Sequence, residues 1–255
     1  MGLRQWTTAL IEPVIFIGRV SAVLPQLFKK HGIRKREFLY YLDLCGTKSL
    51  FTALLICFLT GLILGIQSAI QLQKVGTEIF IVDLVGFSIL KEFGPLMVAF
   101  IAIGRAGSAF AAEIGTMKVN EEIHALETLG IAPEAYLVLP KLLAMVIAMP
   151  LLTVFGDIAG IAGGFVVGIG ALDIPFAAYW DRTINVLAVS TFLVGLSKSM
   201  VFGILITLAG CYCGSRTTDD AQGVGRGATN AVVTSIFLVV IADTMITLLY
   251  SFIGY

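Results

Sequence analysis

The chain has little charge, little histidine and little cysteine. Only 13% of its 255 residues are Asp, Glu, Lys or Arg, and the formal net charge is zero. A balanced charge offers no basic field to a polyanion, so no nucleic-acid partner is expected. The two histidines, His31 and His124, both lie outside the apolar runs, which leaves little for a metal centre, and no metal ligands are expected. Cys45, Cys57, Cys211 and Cys213 lack C-x-x-C spacing, against both a zinc site and a disulfide framework. Glu12, Pro13 and Arg19 interrupt the first apolar residues and no small-residue cleavage site follows, so the N-terminus does not read as a signal peptide. A phosphate loop of the form G-x-x-x-x-G-K-[ST] is absent too; "GTKS" at 46–49 and "GLSKS" at 195–199 lack its spacing. ATP hydrolysis by that route, and with it any catalytic residue or bound cofactor, is not expected on this chain.

What is present in excess is apolar. The sequence is 58% hydrophobic with a mean hydropathy of +0.95, the composition of an all-α polytopic membrane protein. A crossing takes about 20 apolar residues. Residues 49–73 carry no charge and form the clearest span. Lys91, Glu92 and Arg105 break the second run between Asp83 and Glu113, so its helix starts near 84 or near 92. Spans three to five cover about 137–170, 185–211 and 228–252, and contain Asp157, Lys198 and Asp243 respectively. Ahead of them, Trp6, Leu10, Val14, Ile17 and Leu24 suggest an amphipathic helix lying in the interface. The domain division expected is therefore an interfacial and elbow region, 1–48, followed by a membrane domain, 49–255.

Basic residues set the orientation. Residues 1–48 hold eight Lys and Arg, residues 104–141 hold Arg105, Lys118 and Lys141, and residues 212–227 hold two; the other side holds Lys74, Lys91 and Arg182. This bias places the N-terminus and the 104–141 loop in the cytoplasm and Tyr255 outside. Gly156, Gly160, Gly164 and Gly168 recur every fourth residue on span three, as Gly61 and Gly65 do on span one. Such faces let helices approach closely, either inside one bundle or along a dimer seam.

One stretch departs from this pattern. "KVNEEIHALETLG", 118–130, carries three glutamates between two apolar runs. Val119, Ile123 and Leu126 form an apolar stripe, Glu121, Glu122 and Glu127 cover the remaining surface, and Gly130 and Pro133 stop the helix. Three turns cannot span a bilayer; the helix either joins two spans, lies on the membrane, or fits its stripe into a groove on a soluble partner. Ionisable groups at bilayer depth cost about 2.5–3.5 kcal/mol each on insertion scales, so they face a cavity or one another. Lys198 is placed to pair with Asp243 or Glu92, with Asp157 a further member of the intramembrane charge set. Alternatively these charges line a path for a polar part of a substrate. Arg105 and Arg226 sit near span ends, either as cations at a helix terminus or as grips on a lipid phosphate.

Further words stand out along the sequence: E-x-G-P at Glu92–Pro95, "GRAGSA" at 104–109, "AEIGTMK" at 112–118, the E-x-I/L-x-A-L pattern at 121–126, "LP-K-LLA" at 139–144, "KSMVFG" at 198–203 and "GVGRGATNAVV" at 223–233. Together they resemble the MlaE (YrbE-type) permease family, the membrane subunits of ABC transporters linked to MCE proteins. At 91 and 141 this chain has Lys where members of the family often have Arg.

The resemblance implies that 118–130 is a coupling helix held by a separate cytoplasmic ATPase, which binds the ATP and Mg. It implies a homodimer, a periplasmic MCE-domain ring, in many systems a STAS-domain protein on the ATPase, and a bacterial inner-membrane location. It also implies a phospholipid substrate, with acyl chains against Leu64 and Leu72 and headgroup near Lys91 and Glu92, moved between the inner membrane and the MCE partner in the upkeep of outer-membrane lipid asymmetry. The competing reading from the residues alone is an ion-coupled secondary transporter using the intramembrane Asp and Lys residues. Such folds usually show two related halves, a division these five spans do not make. An intramembrane protease is disfavoured: G-x-S-G is absent and no span holds a histidine.

Overall fold

The computed structural model describes residues 3–25, 35–218 and 220–253, with the backbone alone for 3–10 and 253. The side chains of Trp6 and Leu10, and His31 and Tyr255 entirely, lie outside the described residues. All regular structure among the described residues is helical: α1 (Leu3–Val23), α2 (Lys35–Leu42), α3 (Lys48–Gln73), α4 (Ile81–Ser88), α5 (Gly94–Ala102), α6 (Ser108–Val119), α7 (Glu122–Thr128), α8 (Leu139–Leu172), α9 (Phe176–Val186), α10 (Val189–Ser215) and α11 (Ala221–Ile253). In hydrocarbon a segment must satisfy its own backbone groups, which selects helices from apolar runs of this length. Five continuous helical runs are long and apolar enough to cross a membrane: Lys35–Gln73, Glu78–Val119, Glu134–Leu172, Val189–Ser215 and Ala221–Phe252. The protein is an all-α polytopic membrane protein.

Four short π-helical turns interrupt these runs, at Asp43–Thr47, Ile89–Phe93, Ile103–Gly107 and Glu134–Val138. Two have a plain cause. Pro95 and Pro140 follow the second and fourth turns; each lacks an N–H, and its ring displaces the carbonyl four residues earlier, which widens the ladder.

Several boundaries depart from the sequence expectation: the first helical run begins at Lys35 and the fifth at Ala221, ahead of 49 and 228. The second run begins at Glu78, ahead of both starts expected, because Arg182 neutralises Asp83 through paired bonds of 2.8 and 2.6 Å. The fourth span begins at 189, and residues 185 and 186 belong instead to α9. Leu187 leaves the helical region at φ −78°, ψ 90° and ends that helix. The sequence reading missed α9 altogether, although Tyr179 buries its ring and Arg182 makes its ion pair on one side of it, while Phe176, Trp180 and Ile184 stay exposed at i, i+4, i+8.

The chain folds as two compact units, each drawn from three stretches of sequence. One comprises residues 1–45, 103–145 and 203–238; the other comprises 46–102, 146–202 and 239–255. In the second unit α3 and α8 meet backbone to backbone. A Cβ on Gly61 would overlap the carbonyl oxygen of Gly160, and one on Gly163 that of Phe58. The rest of the glycine face of α8 receives Ile89 at Gly160, Val85 at Gly164 and the Tyr179 ring at Gly168. Both glycine faces are thus consumed by packing within one chain. An apolar cluster of Ile81, Val82, Val85, Ile89, Val167 and Tyr179 completes this core. In the first unit α10 lies close on α6, with Cβ positions at Gly210 and Gly214 only 2.8 and 2.7 Å from the carbonyl oxygens of Gly107 and Ala111.

Candidate functional site

In the second unit a charged cluster is built from three spans. The π turn at Ile89–Phe93 carries Glu92, while α10 carries Lys198 and α11 carries Asp243 and Thr247 one turn apart on the same face. The Lys198 side chain is 1% exposed, and its Nζ donates to Glu92 Oε2 at 2.6 Å and to Thr247 Oγ1 at 2.8 Å. It lies 2.9 Å from Asp243 Oδ1, an ion-pair contact too bent to count as a hydrogen bond. The Thr247 hydroxyl donates in turn to Glu92 Oε1 at 3.0 Å. Two carboxylates share one ammonium, and Glu92 keeps 34% of its side-chain surface open. Thr247 has no charge and no motif to announce it; its i+4 spacing from Asp243 is the only signal in the sequence.

Asp157 does not join this set. It is 1% exposed, and neither carboxylate oxygen has a hydrogen-bond partner. The glycine face of α8 turns it against Gly94, where a Cβ would collide with Oδ1, so close packing and not a cation occupies its surroundings. The four residues expected to form a lipid pocket also divide. Leu64 and Leu72 pack on the apolar cluster, and Leu72 lines a recess of about 280 Å³ with Gln67, Gln71 and Leu84. Lys91 sits with its ammonium 5.8 Å from the centre of the Phe87 ring, and Glu92 belongs to the charged cluster.

In the first unit the acidic segment is shorter than expected. α6 runs on through Val119, Asn120 caps it, and Glu121 takes a left-handed φ of 60° before the seven-residue α7 begins. A left-handed glutamate is uncommon, and Asn120 before it, a residue type favoured at helix ends and turns, is the one local signal of the break. Val119 therefore ends the second run, and the apolar stripe is reduced to Ile123 and Leu126, both half-buried. Glu121, Glu122 and Glu127 are exposed, as is Leu129. At the far end Gly130 adopts φ 75° and turns the chain. The segment hangs between two bends.

The sequence also miscast Lys141. Counted above as a loop charge, it is fully buried at 0% exposure and bonded to Glu113 Oε1 at 3.1 Å and to the Tyr41 hydroxyl at 3.0 Å. Its opposition to Glu113 across 28 residues has no periodic signature, so pattern reasoning could not pair them.

A family profile described as Permease MlaE matches residues 38–249. The chain belongs to the MlaE permease family. It is 38% identical over 235 residues to a probable ABC transporter permease protein of Rickettsia prowazekii, covering 92% of this chain and 88% of that one. A probable ABC transporter permease protein of Synechocystis is 33% identical over 241 residues, 94% and 90% of the two chains. The chloroplastic protein TRIGALACTOSYLDIACYLGLYCEROL 1 of Arabidopsis thaliana is 33% identical over 218 residues, 86% of this chain and 62% of that one. The protein is thus a multi-pass ABC transporter permease subunit of the MlaE type.

The two arginines of the MlaE words "GRAGSA" and "GVGRGATNAVV" have different surroundings. Arg105 is exposed on the π turn at Ile103–Gly107. Arg226 pairs with Asp220 at 3.2 Å and lines a cleft of about 480 Å³ together with Arg216, Thr217, Asn230 and Thr234. The Asp220 carboxyl is held below its ordinary range, chiefly by the Thr218 hydroxyl and then by Arg226. Arg226 is therefore already engaged by a carboxylate at the position where a lipid phosphate contact was expected.

Proposed function

We propose that this MlaE-type permease moves phospholipids between the inner membrane and a periplasmic MCE-domain partner, as a homodimer worked by a separate cytoplasmic ATPase. A STAS-domain protein on the ATPase is a further expected component, and the N-terminus faces the cytoplasm. The observation that carries the coupling half is the exposed acidic segment 121–128, slung between a left-handed Glu121 and a left-handed Gly130 at the end of the second helical run. A short polar helix held this way presents its glutamates and Leu129 to a soluble partner. Displacement by ATP-driven closure of that partner is transmitted to the spans on either side.

The lipid half rests on two observations. The Glu92–Lys198–Asp243 cluster has two carboxylates to one ammonium and stays partly open through Glu92, which suits the cationic part of a zwitterionic headgroup. One relative carries the name of a diacylglycerol galactolipid, which supports the reading of a lipid substrate here. The decisive test is a pull-down with a charge-reversed Glu121→Lys/Glu122→Lys/Glu127→Lys variant. Loss of the ATPase from the purified complex is expected, at unchanged permease abundance. Undiminished co-purification and ATPase rate refute the assignment.

A further inference from the structure

The acidic segment poses a mechanical problem. A force applied to α7 reaches the membrane only if α6 and α8 do not part at their bases, yet the chain bends on both sides of α7, at Glu121 and at Gly130. Below those bends one cluster, with Lys141 and Tyr41 buried and Glu113 partly exposed, closes the hairpin. Lys141, at the start of α8, has three N–H donors and meets three acceptors: Glu113 Oε1 on α6 at 3.1 Å, the Tyr41 hydroxyl on α2 at 3.0 Å, and the Leu137 carbonyl at 3.3 Å. The Tyr41 hydroxyl donates to the same Glu113 oxygen at 2.5 Å. The ammonium also lies 4.4 Å from the centre of the Tyr41 ring, and that ring packs edge-on against Phe110. No donor is spare, and Lys141 is sealed from solvent. An apolar contact tolerates sliding by a fraction of a turn. A buried ammonium whose every proton is committed does not, because any slip strands a charge.

We infer that Tyr41, Glu113 and Lys141 are positioning residues that lock the elbow helix α2 and the bases of α6 and α8 into one body, so that displacement of α7 moves the spans together and is not lost as bending at Glu121 and Gly130. This rests on the coupling role proposed above for the acidic segment.

The test uses the full complex with its ATPase in nanodiscs and the charge-free variant Lys141→Met/Glu113→Gln, which keeps side-chain volume and strands no buried charge. Co-purified ATPase and ATP hydrolysis are expected to match the unsubstituted complex, while phospholipid moved per ATP falls about ten-fold, within the range that misplacement of a positioned group produces. Lys141→Arg, which keeps the charge, is expected to retain transport. Unchanged lipid per ATP in the charge-free variant overturns the inference, because the cluster then only packs. Should that variant fail to fold, Tyr41→Phe takes its place: it removes the shared hydroxyl and keeps the ring, with the same ratio as readout and the same two outcomes. A second arm needs no ATPase. Spin labels at Thr116 and Leu143 are expected to show one narrow distance in the unsubstituted protein and a broadened one in the charge-free variant; equally narrow distributions contradict the lock. A complex that never binds an ATPase defeats the coupling role alone and leaves this second arm to decide.

Discussion

Among the described residues each unit of the protein buries one lysine, and the two are treated differently. Lys141 faces one carboxylate, a phenol and a carbonyl, so the cluster is charge-balanced and every donor is committed. Lys198 faces two carboxylates and a hydroxyl, so its cluster carries surplus negative charge, and Glu92 remains partly open. Glu113 and Glu92 keep similar shares of their side-chain surface open, 36% and 34%, so the difference lies in charge: a balanced cluster fixes geometry, and an unbalanced one can still take a charged or zwitterionic group. The same residue type at similar burial therefore serves as a lock in one place and as a candidate site in the other. What separates them is the number of carboxylates per ammonium.

That contrast breaks most sharply at Glu113. Glu113→Leu leaves the buried Lys141 ammonium without the carboxylate it is bonded to and is expected to cost about 3–5 kcal/mol of stability, the range for breaking one side of a buried pair. Denaturation in detergent measures it. A loss well under that range means that Tyr41 and Leu137 suffice and the balance at Lys141 is not what holds it. Next in size is Gly61→Ala, whose new methyl overlaps the Gly160 carbonyl and forces α3 from α8, for about 1–3 kcal/mol. Gly104→Ala in the other unit meets nothing within 4 Å and is expected to be silent in the same melt. Equal effects at the two positions discredit the close approach of α3 and α8. Smallest in stability is Glu92→Gln. Asp243 still compensates Lys198, so about 1 kcal/mol is expected, the net worth of one hydrogen bond, yet phospholipid transfer is expected to fall markedly. Normal transfer with lowered stability makes the second cluster a scaffold like the first.

How much of this was legible in the sequence differs by kind of feature. The spans were, because an uncharged run such as 49–73 has one physical fate in lipid. Their ends were not. Asp83 looks like a boundary until Arg182, 99 residues later, neutralises it, and Glu121 looks like mid-helix until it turns left-handed. Glycines at fourth positions announced close packing but not their partner, which proved to lie in the same chain. The intramembrane charges were legible as a set, while their allotment was not: composition treats Asp157, Asp243 and Glu92 alike, and only the geometry puts two of them on Lys198 and leaves the third alone against Gly94. Lys141 misled most, since position near a loop is weak evidence of exposure when a carboxylate and a phenol wait in the interior.

Reconstitution decides the account most directly. Proteoliposomes carrying the permease with its ATPase are supplied with a fluorescent phospholipid and an acceptor, and transfer is followed with and without ATP. The account predicts transfer that requires both the ATPase and ATP, and none from the permease alone under a proton or sodium gradient. Sustained gradient-driven transfer by the permease without any nucleotide-hydrolysing subunit contradicts it.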